Sequence, residues 1–226
     1  MEKVVFFERD SFTDYVIQKY DLQVKNEYHF EIPQIDKSQL EKENWNILCI
    51  LGSSGAGKTT IIKSLGTLEE PIYDYGKSII SQFPNKTVEE VIDVFFSIGL
   101  SSVPLWLHKP NELSNGERAR LDIAYKLLTN KDCYILVDEF TSVVNRTTAK
   151  TMSYNLQRYV RKNNIKIVLC SCHYDILEWL QPYYVFNLNK KINGQVLLEK
   201  VTYGNTSEYP MIDKKDLLTK EEKVAL

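Results

Sequence analysis

Ile47-Leu48-Cys49-Ile50-Leu51-Gly52-Ser53-Ser54-Gly55-Ala56-Gly57-Lys58-Thr59-Thr60 is the stretch from which the rest of the chain can be read. Its first five residues are apolar without alternation, and the run is too short for a helix. That predicts a strand buried on both faces, as in a parallel sheet. The next residues satisfy G-x-x-x-x-G-K-[ST] at every defined position, and Ile61-Ile62-Lys63-Ser64-Leu65 continues as a helix. Glycine tolerates positive φ, so successive backbone N–H groups can turn toward one anion, and the helix start adds its positive end. Gly52 through Thr60 are therefore the expected phosphate cradle. In it Lys58 reaches the β- and γ-phosphates of a nucleotide, and the Thr59 hydroxyl meets Mg²⁺.

Two further apolar runs have the same character, Cys133–Val137 and Ile165–Cys170. Helix-like stretches at Val88–Ile98, Gly116–Leu128 and Thr147–Val160 separate the three. Strands alternating with helices predict an α/β fold with a mainly parallel sheet flanked by helices, and with the phosphate loop that is the P-loop NTPase class. Farther on, Tyr184–Leu188 and Gln195–Leu198 flank Asn193-Gly194, a hairpin signal. Residues 1–44 carry short β-like pieces at Val4–Phe7 and Tyr28–Ile32 and read as a small β-rich lead-in. From residue 202 to 226 the chain is polar and rich in charge runs, the pattern of a solvated tail or surface helix.

Composition fits one domain spanning 1–201 followed by that tail. The chain has 226 residues, against a prior of roughly 150 per domain. Its 43% apolar and 26% charged content is that of a globular protein, which excludes wholesale disorder. No window is long and apolar enough to span a membrane, and the first apolar run breaks too early for a signal peptide. A cytoplasmic location is the expectation. The formal net charge of −2 gives no long electrostatic track for nucleic acid, which stays possible but unsupported. Cys49, Cys133, Cys170 and Cys172 all sit in or beside strand-like runs and are expected to act as small hydrophobes.

The second apolar run ends in Asp138-Glu139, two acids delivered together by a buried strand. The first suits Mg²⁺, and the second suits orienting and polarising an attacking water. Leu113-Ser114-Asn115-Gly116-Glu117 precedes an amphipathic run in which Leu121, Ala124, Tyr125 and Leu128 share helical spacing. Ser114 and Asn115 read as its cap, making the helix start a second anion site.

Leu113–Glu117 resembles the signature motif of ATP-binding cassette (ABC) ATPases, usually Leu-Ser-Gly-Gly-Gln, and it lies upstream of Asp138 in that family's order. Other parts fall in the same series. Gln82 resembles the Q-loop glutamine, which in the family contacts Mg²⁺ and the attacking water. Ser142-Val143-Val144-Asn145 resembles the D-loop, and His173 the switch histidine that contacts the γ-phosphate. The resemblance covers roughly 46–198 and implies ATP and Mg²⁺ as cofactors, with Thr59, Gln82 and Asp138 near the metal and Glu139, Gln82 and His173 catalytic. It implies a homodimer formed head to tail on ATP, in which the signature residues of one copy clamp the γ-phosphate held by the other copy's Lys58. Hydrolysis would open that dimer and drive a partner protein that the sequence does not identify.

Several residues depart from the family pattern. Asn115 and Glu117 stand where Gly and Gln are usual, and Asn145 where Asp is. The intervals from Lys58 to Gln82 and from Gln82 to Leu113 are short for a transporter cassette. A reduced helical subdomain is therefore expected at about 83–115, with one helix and a loop through Pro104, Trp106 and Pro110. The alternatives are a transporter subunit working with a separate permease and, less favoured, an ATP-binding switch with little turnover. A kinase gives no role to Leu113–Glu117 or His173. Tyr15 and Tyr20 are candidates for stacking on adenine. Asp138–Val144 with Cys172–Pro182 is similar to a group of soluble prokaryotic and phage-type cassettes, some fused to a predicted acetyltransferase domain, of which no portion is evident here.

Overall fold

The computed structural model describes residues 2–201, so the polar stretch 202–226 lies outside the described residues. The chain divides into two compact units between Gln34 and Ile35. In the first, β1 (Glu2–Phe6) pairs antiparallel with β2 (Glu27–Glu31), and α1 (Ser11–Lys19) lies between them in sequence. The lead-in expected to be β-rich thus carries a helix as well. Asp10 starts it: its carboxylate accepts the Thr13 N–H at 2.7 Å, while Thr13 Oγ1 accepts the Asp10 N–H at 2.7 Å. No residue of α1 is buried, although Phe12, Tyr15 and Val16 share helical spacing.

The expected lead-in boundary at residue 44 is also corrected. Residues 35–44 belong to the second unit, where α2 (Lys37–Glu41) buries Leu40 completely. Trp45 anchors this segment. Its indole N–H donates to the Leu40 carbonyl at 2.8 Å, and its ring packs on Tyr134 and Tyr184 with centroids 5.3 and 6.3 Å away.

The main sheet contains β3 (Ile47–Leu51), β4 (Ile135–Val137), β5 (Ile167–Ser171), β6 (Tyr184–Asn187) and β7 (Leu198–Lys200), in the order β4-β5-β3-β6-β7. The first four are parallel to one another, and β7 closes the edge antiparallel to β6. Every residue of β3 and β5 is buried, which explains their unbroken apolar character. Register places the site: Leu51 stands opposite Ser171, and Val137 opposite Leu169. Gly52, Asp138 and Cys172 therefore leave the sheet together at the carboxyl ends of parallel strands, where α/β sheets bind ligands.

Two expected strands shift. The β4 ladder omits Cys133 and Tyr134, and Cys133 is exposed. Cys172 is exposed too, so the small-hydrophobe reading holds for Cys49 and Cys170 alone, whose thiols burial pushes up in pKa. In the hairpin, Asn193 and Gly194 both take positive φ, 51° and 80°, the conformation a two-residue turn of this hand requires. Its ladder resumes only at Leu198, the last residue of the strand expected at Gln195–Leu198, and runs on to Lys200.

Around the sheet lie α3 (Lys58–Leu65), α4 (Val88–Ser97), α5 (Asn115–Thr129), α6 (Arg146–Lys162) and the short α7 (Ile176–Leu180). Between α4 and α5 the chain makes only two 3-10 turns, Val103–Leu107 and Pro110–Glu112. The stretch 83–115 thus holds one α-helix, opened by a Thr87–Glu90 capping box. Trp106 fills the remainder; its indole N–H donates to the Leu100 carbonyl at 2.8 Å and its ring meets Phe95 edge-on.

Candidate functional site

The loop after β3 is bent by two glycines. Gly57, at φ 92°, caps α3 in the left-handed region, and Gly55 sits at φ 79°. A Cβ in either place would be strained, so the loop needs glycine there. Lys58 opens α3 and folds back over the loop, donating from Nζ to the carbonyls of Gly52 and Ser53, each at 2.8 Å. Thr59, the next residue, donates from Oγ1 to Asp138 Oδ2 at 2.5 Å. One hydrogen bond therefore joins the β3 loop to the end of β4. A hydroxyl and a carboxylate side by side form a hard oxygen donor pair of the kind Mg²⁺ takes along with phosphate oxygens and water. Among the described residues no cluster of three or more His, Cys, Asp or Glu could hold a metal by itself, so a metal here would share its shell with its ligand.

Glu139 follows Asp138 in a left-handed conformation at φ 51°, its N–H donating to Asp138 Oδ1 at 2.9 Å. The turn is held on both sides: the Phe140 N–H donates to the Cys170 carbonyl at 2.7 Å, and Ser142 donates from N and Oγ to the Glu139 carbonyl at 3.1 and 2.8 Å. The Glu139 carboxylate is exposed and makes no hydrogen bond or ion pair among the described residues, which leaves it free to accept from water. Ser54, Gly57, Lys58, Thr59, Asp138 and Glu139 line one cleft of about 250 Å³, whose wall also includes Ser142 and Cys172. His173 is the next residue after Cys172. Its backbone N–H donates to Ser171 Oγ at 3.1 Å, and partial burial together with the Arg146 cation holds its imidazole below the usual histidine range.

Gln82 is not brought to this cleft, which corrects its expected place beside the metal and the attacking water. It ends a 3-10 turn, Ile79–Gln82, and its amide is consumed locally. The side-chain oxygen accepts the Asp74 N–H at 2.9 Å. The nitrogen donates to the carbonyls of Asp74, Lys77 and Ser78 at 2.9, 3.1 and 3.2 Å. The amide is thus engaged at both ends in its own turn, the nitrogen fully and the oxygen through one of its two lone pairs.

The Leu113–Glu117 segment forms the start of α5. Ser114 is its cap, and Glu117 completes a capping box by accepting from both Ser114 N–H and Oγ–H, at 2.9 and 2.7 Å. Those bonds hold the Glu117 carboxyl below the usual range, so it stays ionised. Gly116 packs where a Cβ would stand 3.2 Å from the Val143 carbonyl and 3.3 Å from Val144 Cγ1, so the first turn of α5 lies directly on the Ser142–Asn145 loop. A second cleft, of about 380 Å³, is lined by residues of both, among them Asn115 and Ser142, together with Asp138 and Glu139. Asn145 caps α6 by accepting the Thr148 N–H at 2.8 Å, a task Asn and Asp perform equally well.

The cations of α5 are spent internally. Arg118 pairs with Asp122 at 3.1 Å and lies over the Tyr73 ring. Arg120 donates to the Gly99 carbonyl at 2.6 Å, and Lys126 to the Leu136 carbonyl at 3.0 Å. They make no free track for a nucleic-acid backbone. In the first unit, Tyr15 and Tyr20 are exposed, with the Lys19 ammonium 5.4 and 5.6 Å from their ring centroids.

No family model matches the chain. It is 25% identical to the lipoprotein-releasing system ATP-binding protein LolD of Chromohalobacter salexigens, over 53% of this chain and 68% of that one. It is 24% identical to the methionine import ATP-binding protein MetN of Clostridioides difficile, over 89% of this chain and 74% of that one. Among solved structures it resembles the dimeric, post-hydrolysis ATP-binding cassette MJ0796 bound to ADP and phosphate. The TM-score is 0.53 with 16% identity, covering 77% of this chain and 89% of that one. It also resembles cbiO1 of Clostridium perfringens, part of the transporter complex cbiONQ, with a TM-score of 0.53, 17% identity and coverage of 80% and 82%. The fold is that of an ATP-binding cassette.

Proposed function

We propose that the chain is a Mg²⁺-dependent ATPase that pairs head to tail with a second copy around two ATP molecules and hydrolyses them to ADP and phosphate. The observation that carries this reading is the 2.5 Å bond from Thr59 to Asp138, which sets the phosphate loop and the Asp138-Glu139 strand end on one cleft. Lys58 exchanges its two loop carbonyls for phosphate oxygens, and the loop N–H groups with the α3 start complete the cradle. Thr59 and Asp138 would hold Mg²⁺, which would neutralise charge on the phosphates. Glu139 orients a water and takes its proton as the water attacks. His173 serves as a second polar group at the same strand end. Leu113, Ser114, Asn115, Gly116 and Glu117 act on the partner's nucleotide, with Ser142 and Asn145 beside them at the contact between copies. The setting is the cytoplasm, and the work is done on a partner protein.

A transporter role is the second reading, favoured by the names of LolD and MetN. No helix among the described residues is long and apolar enough to cross a membrane, so such a role would need a separate permease. The test of the first reading is made on the chain alone: ATP turnover that requires Mg²⁺ and stops in EDTA, with a shift from monomer to dimer in a non-hydrolysable ATP analogue. Turnover indifferent to EDTA, or a sedimentation profile unmoved by the analogue, would overturn it.

Glu117 supplies a sharper check on the signature. Its carboxylate occupies the Ser114 hydroxyl and puts negative charge where the partner's γ-phosphate would come. Glu117→Gln keeps an acceptor for the Ser114 N–H but removes the charge. It is expected to tighten nucleotide-dependent dimerisation about 3- to 10-fold, as one relieved like-charge contact of about 1 kcal/mol would do. An unchanged or weaker dimer in sedimentation equilibrium would place Ser114 outside the interface.

A further inference from the structure

Arg146 opens α6 immediately after the Asn145 cap, and the chemistry above does not use it. Three groups hold its guanidinium. Nε–H donates to Asp175 Oδ2 at 2.9 Å and Nη2–H donates to Asp175 Oδ1, a two-pronged match of fork to carboxylate. Nη1–H donates to Thr141 Oγ1 at 3.4 Å. The Trp179 ring of α7 lies 5.3 Å from the guanidinium carbon, within the range of cation–π attraction. Both members of the ion pair are about two-thirds withdrawn from solvent, with side-chain exposures of 39% and 34%.

The partners' places in the chain give the arrangement its meaning. Thr141 lies two residues after Glu139 and takes φ 68°, a conformation β-branched residues avoid unless their surroundings enforce it. It is buried, and its hydroxyl accepts from Arg146. Asp175 lies two residues after His173. Arg146 itself follows the Ser142–Asn145 loop, on which Gly116 of the signature turn rests. One guanidinium thus joins the turn that carries Glu139, the segment that carries His173 and the end of the loop between them. Both helices bury apolar residues in the core, Leu156 and Val160 from α6 and Ile176, Leu177 and Leu180 from α7, so their anchoring does not rest on the ion pair alone.

We propose that Arg146, fixed by Asp175, is a positioning residue for hydrolysis: it sets the placement of the Glu139 turn against the His173 segment and passes movements of the Ser142–Asn145 loop to both. This rests on the ATPase reading above. It agrees with the charge pattern at His173, where Arg146 disfavours and Asp175 favours the protonated imidazole.

The experiment compares wild type, Arg146→Gln, Arg146→Lys, Asp175→Asn and the Arg146→Gln/Asp175→Asn double variant. It reads ATP affinity, kcat and the His173 titration by NMR. Affinity is expected to stay within about twofold, because the phosphate loop is untouched, while kcat falls about tenfold or more in each Gln and Asn variant. The double variant should be no slower than the slower single one, since both remove the same contact. Arg146→Lys should fall between, keeping charge but not the fork. The His173 pKa should rise in Arg146→Gln and fall in Asp175→Asn. If Arg146→Gln proves unstable, Asp175→Asn decides, since it keeps the shape of the site. A kcat within about twofold of wild type in Asp175→Asn, losses that multiply in the double variant, or affinity falling in step with kcat would overturn the proposal. A wild-type chain that turns over no ATP removes the parent reading and this one with it. An active wild type with indifferent variants removes this one alone.

Discussion

Glu139→Gln is expected to bind ATP at close to wild-type affinity, to lose turnover by about 10²- to 10⁴-fold and to accumulate as an ATP-loaded dimer. The geometry separates these effects. On the proposed reading affinity resides in the loop N–H groups, Lys58 and the Thr59–Asp138 pair, none of which the substitution touches. Glu139 enters only through its carboxylate, which is exposed and makes no hydrogen bond or ion pair among the described residues. Its backbone bond to Asp138 and the hold of Ser142 on its carbonyl survive in Gln. Glutamine keeps the length and the acceptor oxygen but cannot take a proton from water. One negative charge also leaves the neighbourhood of the γ-phosphate, which favours the loaded state. Single-turnover hydrolysis and sedimentation in ATP and Mg²⁺ read the two effects separately. Normal hydrolysis would remove Glu139 from the chemistry, and a monomer at high protein concentration would remove the head-to-tail dimer.

The sequence and the structure agree where local pattern and global topology share one cause. Ile47–Leu51 is unbroken and apolar because β3 lies between two neighbours with both faces covered, and the same burial made β5 legible. The bend of the loop after β3 was legible because backbone geometry demands glycine at 55 and 57. Agreement weakens where a residue's fate depends on short polar bonds. Gln82 has a suitable place in the series of motifs, but its amide closes a turn with Asp74, Lys77 and Ser78, which order along the chain does not reveal. Helix α1 had its own signals, a capping box of Asp10 and Thr13 and helical spacing of Phe12, Tyr15 and Val16, but it is nine residues long and lies beside strand-like pieces. Arg146 escaped for a different reason: its carboxylate partner lies 29 residues away, and only the juxtaposition of α6 and α7 brings them together.

The departures from the ABC signature pattern that the chain resembles become intelligible as local chemistry. Glu117 in place of Gln makes a complete capping box with Ser114, and Asn145 in place of Asp caps α6 just as well. Both substitutions keep the helix starts that the fold requires. They differ in what they offer a second molecule. Asn145 is neutral where Asp would be charged, whereas Glu117 brings a charge that a neighbouring phosphate opposes. If the signature works across a dimer, its contacts therefore come with electrostatic resistance on the α5 side. The interface would form readily only when nucleotide supplies the remaining attraction.

Lys58→Ala is expected to reduce ATP affinity by about 10²- to 10⁴-fold, the loss of two charge-assisted hydrogen bonds of roughly 1.5–3 kcal/mol each. Lys58 stands at the first position of α3, beside Gly57, with its ammonium 2.8 Å from the carbonyls of Gly52 and Ser53. That position makes it the group that can turn from the loop to a phosphate without moving the backbone. The fold should survive the change. The buried residues of α3 are Ile61, Ile62 and Leu65, and the loop bends at Gly55 and Gly57 do not depend on the ammonium. Stability is expected to fall by no more than about 1–3 kcal/mol, the scale of those two bonds to loop carbonyls. Lys58→Arg should not rescue binding, because a planar fork cannot replace a compact point charge between two carbonyls. Calorimetric titration with ATP and Mg²⁺, beside urea unfolding of the same samples, distinguishes the outcomes. Affinity within about threefold of wild type in Lys58→Ala, a change of under 1 kcal/mol, would mean that the loop after β3 is not where the nucleotide is held.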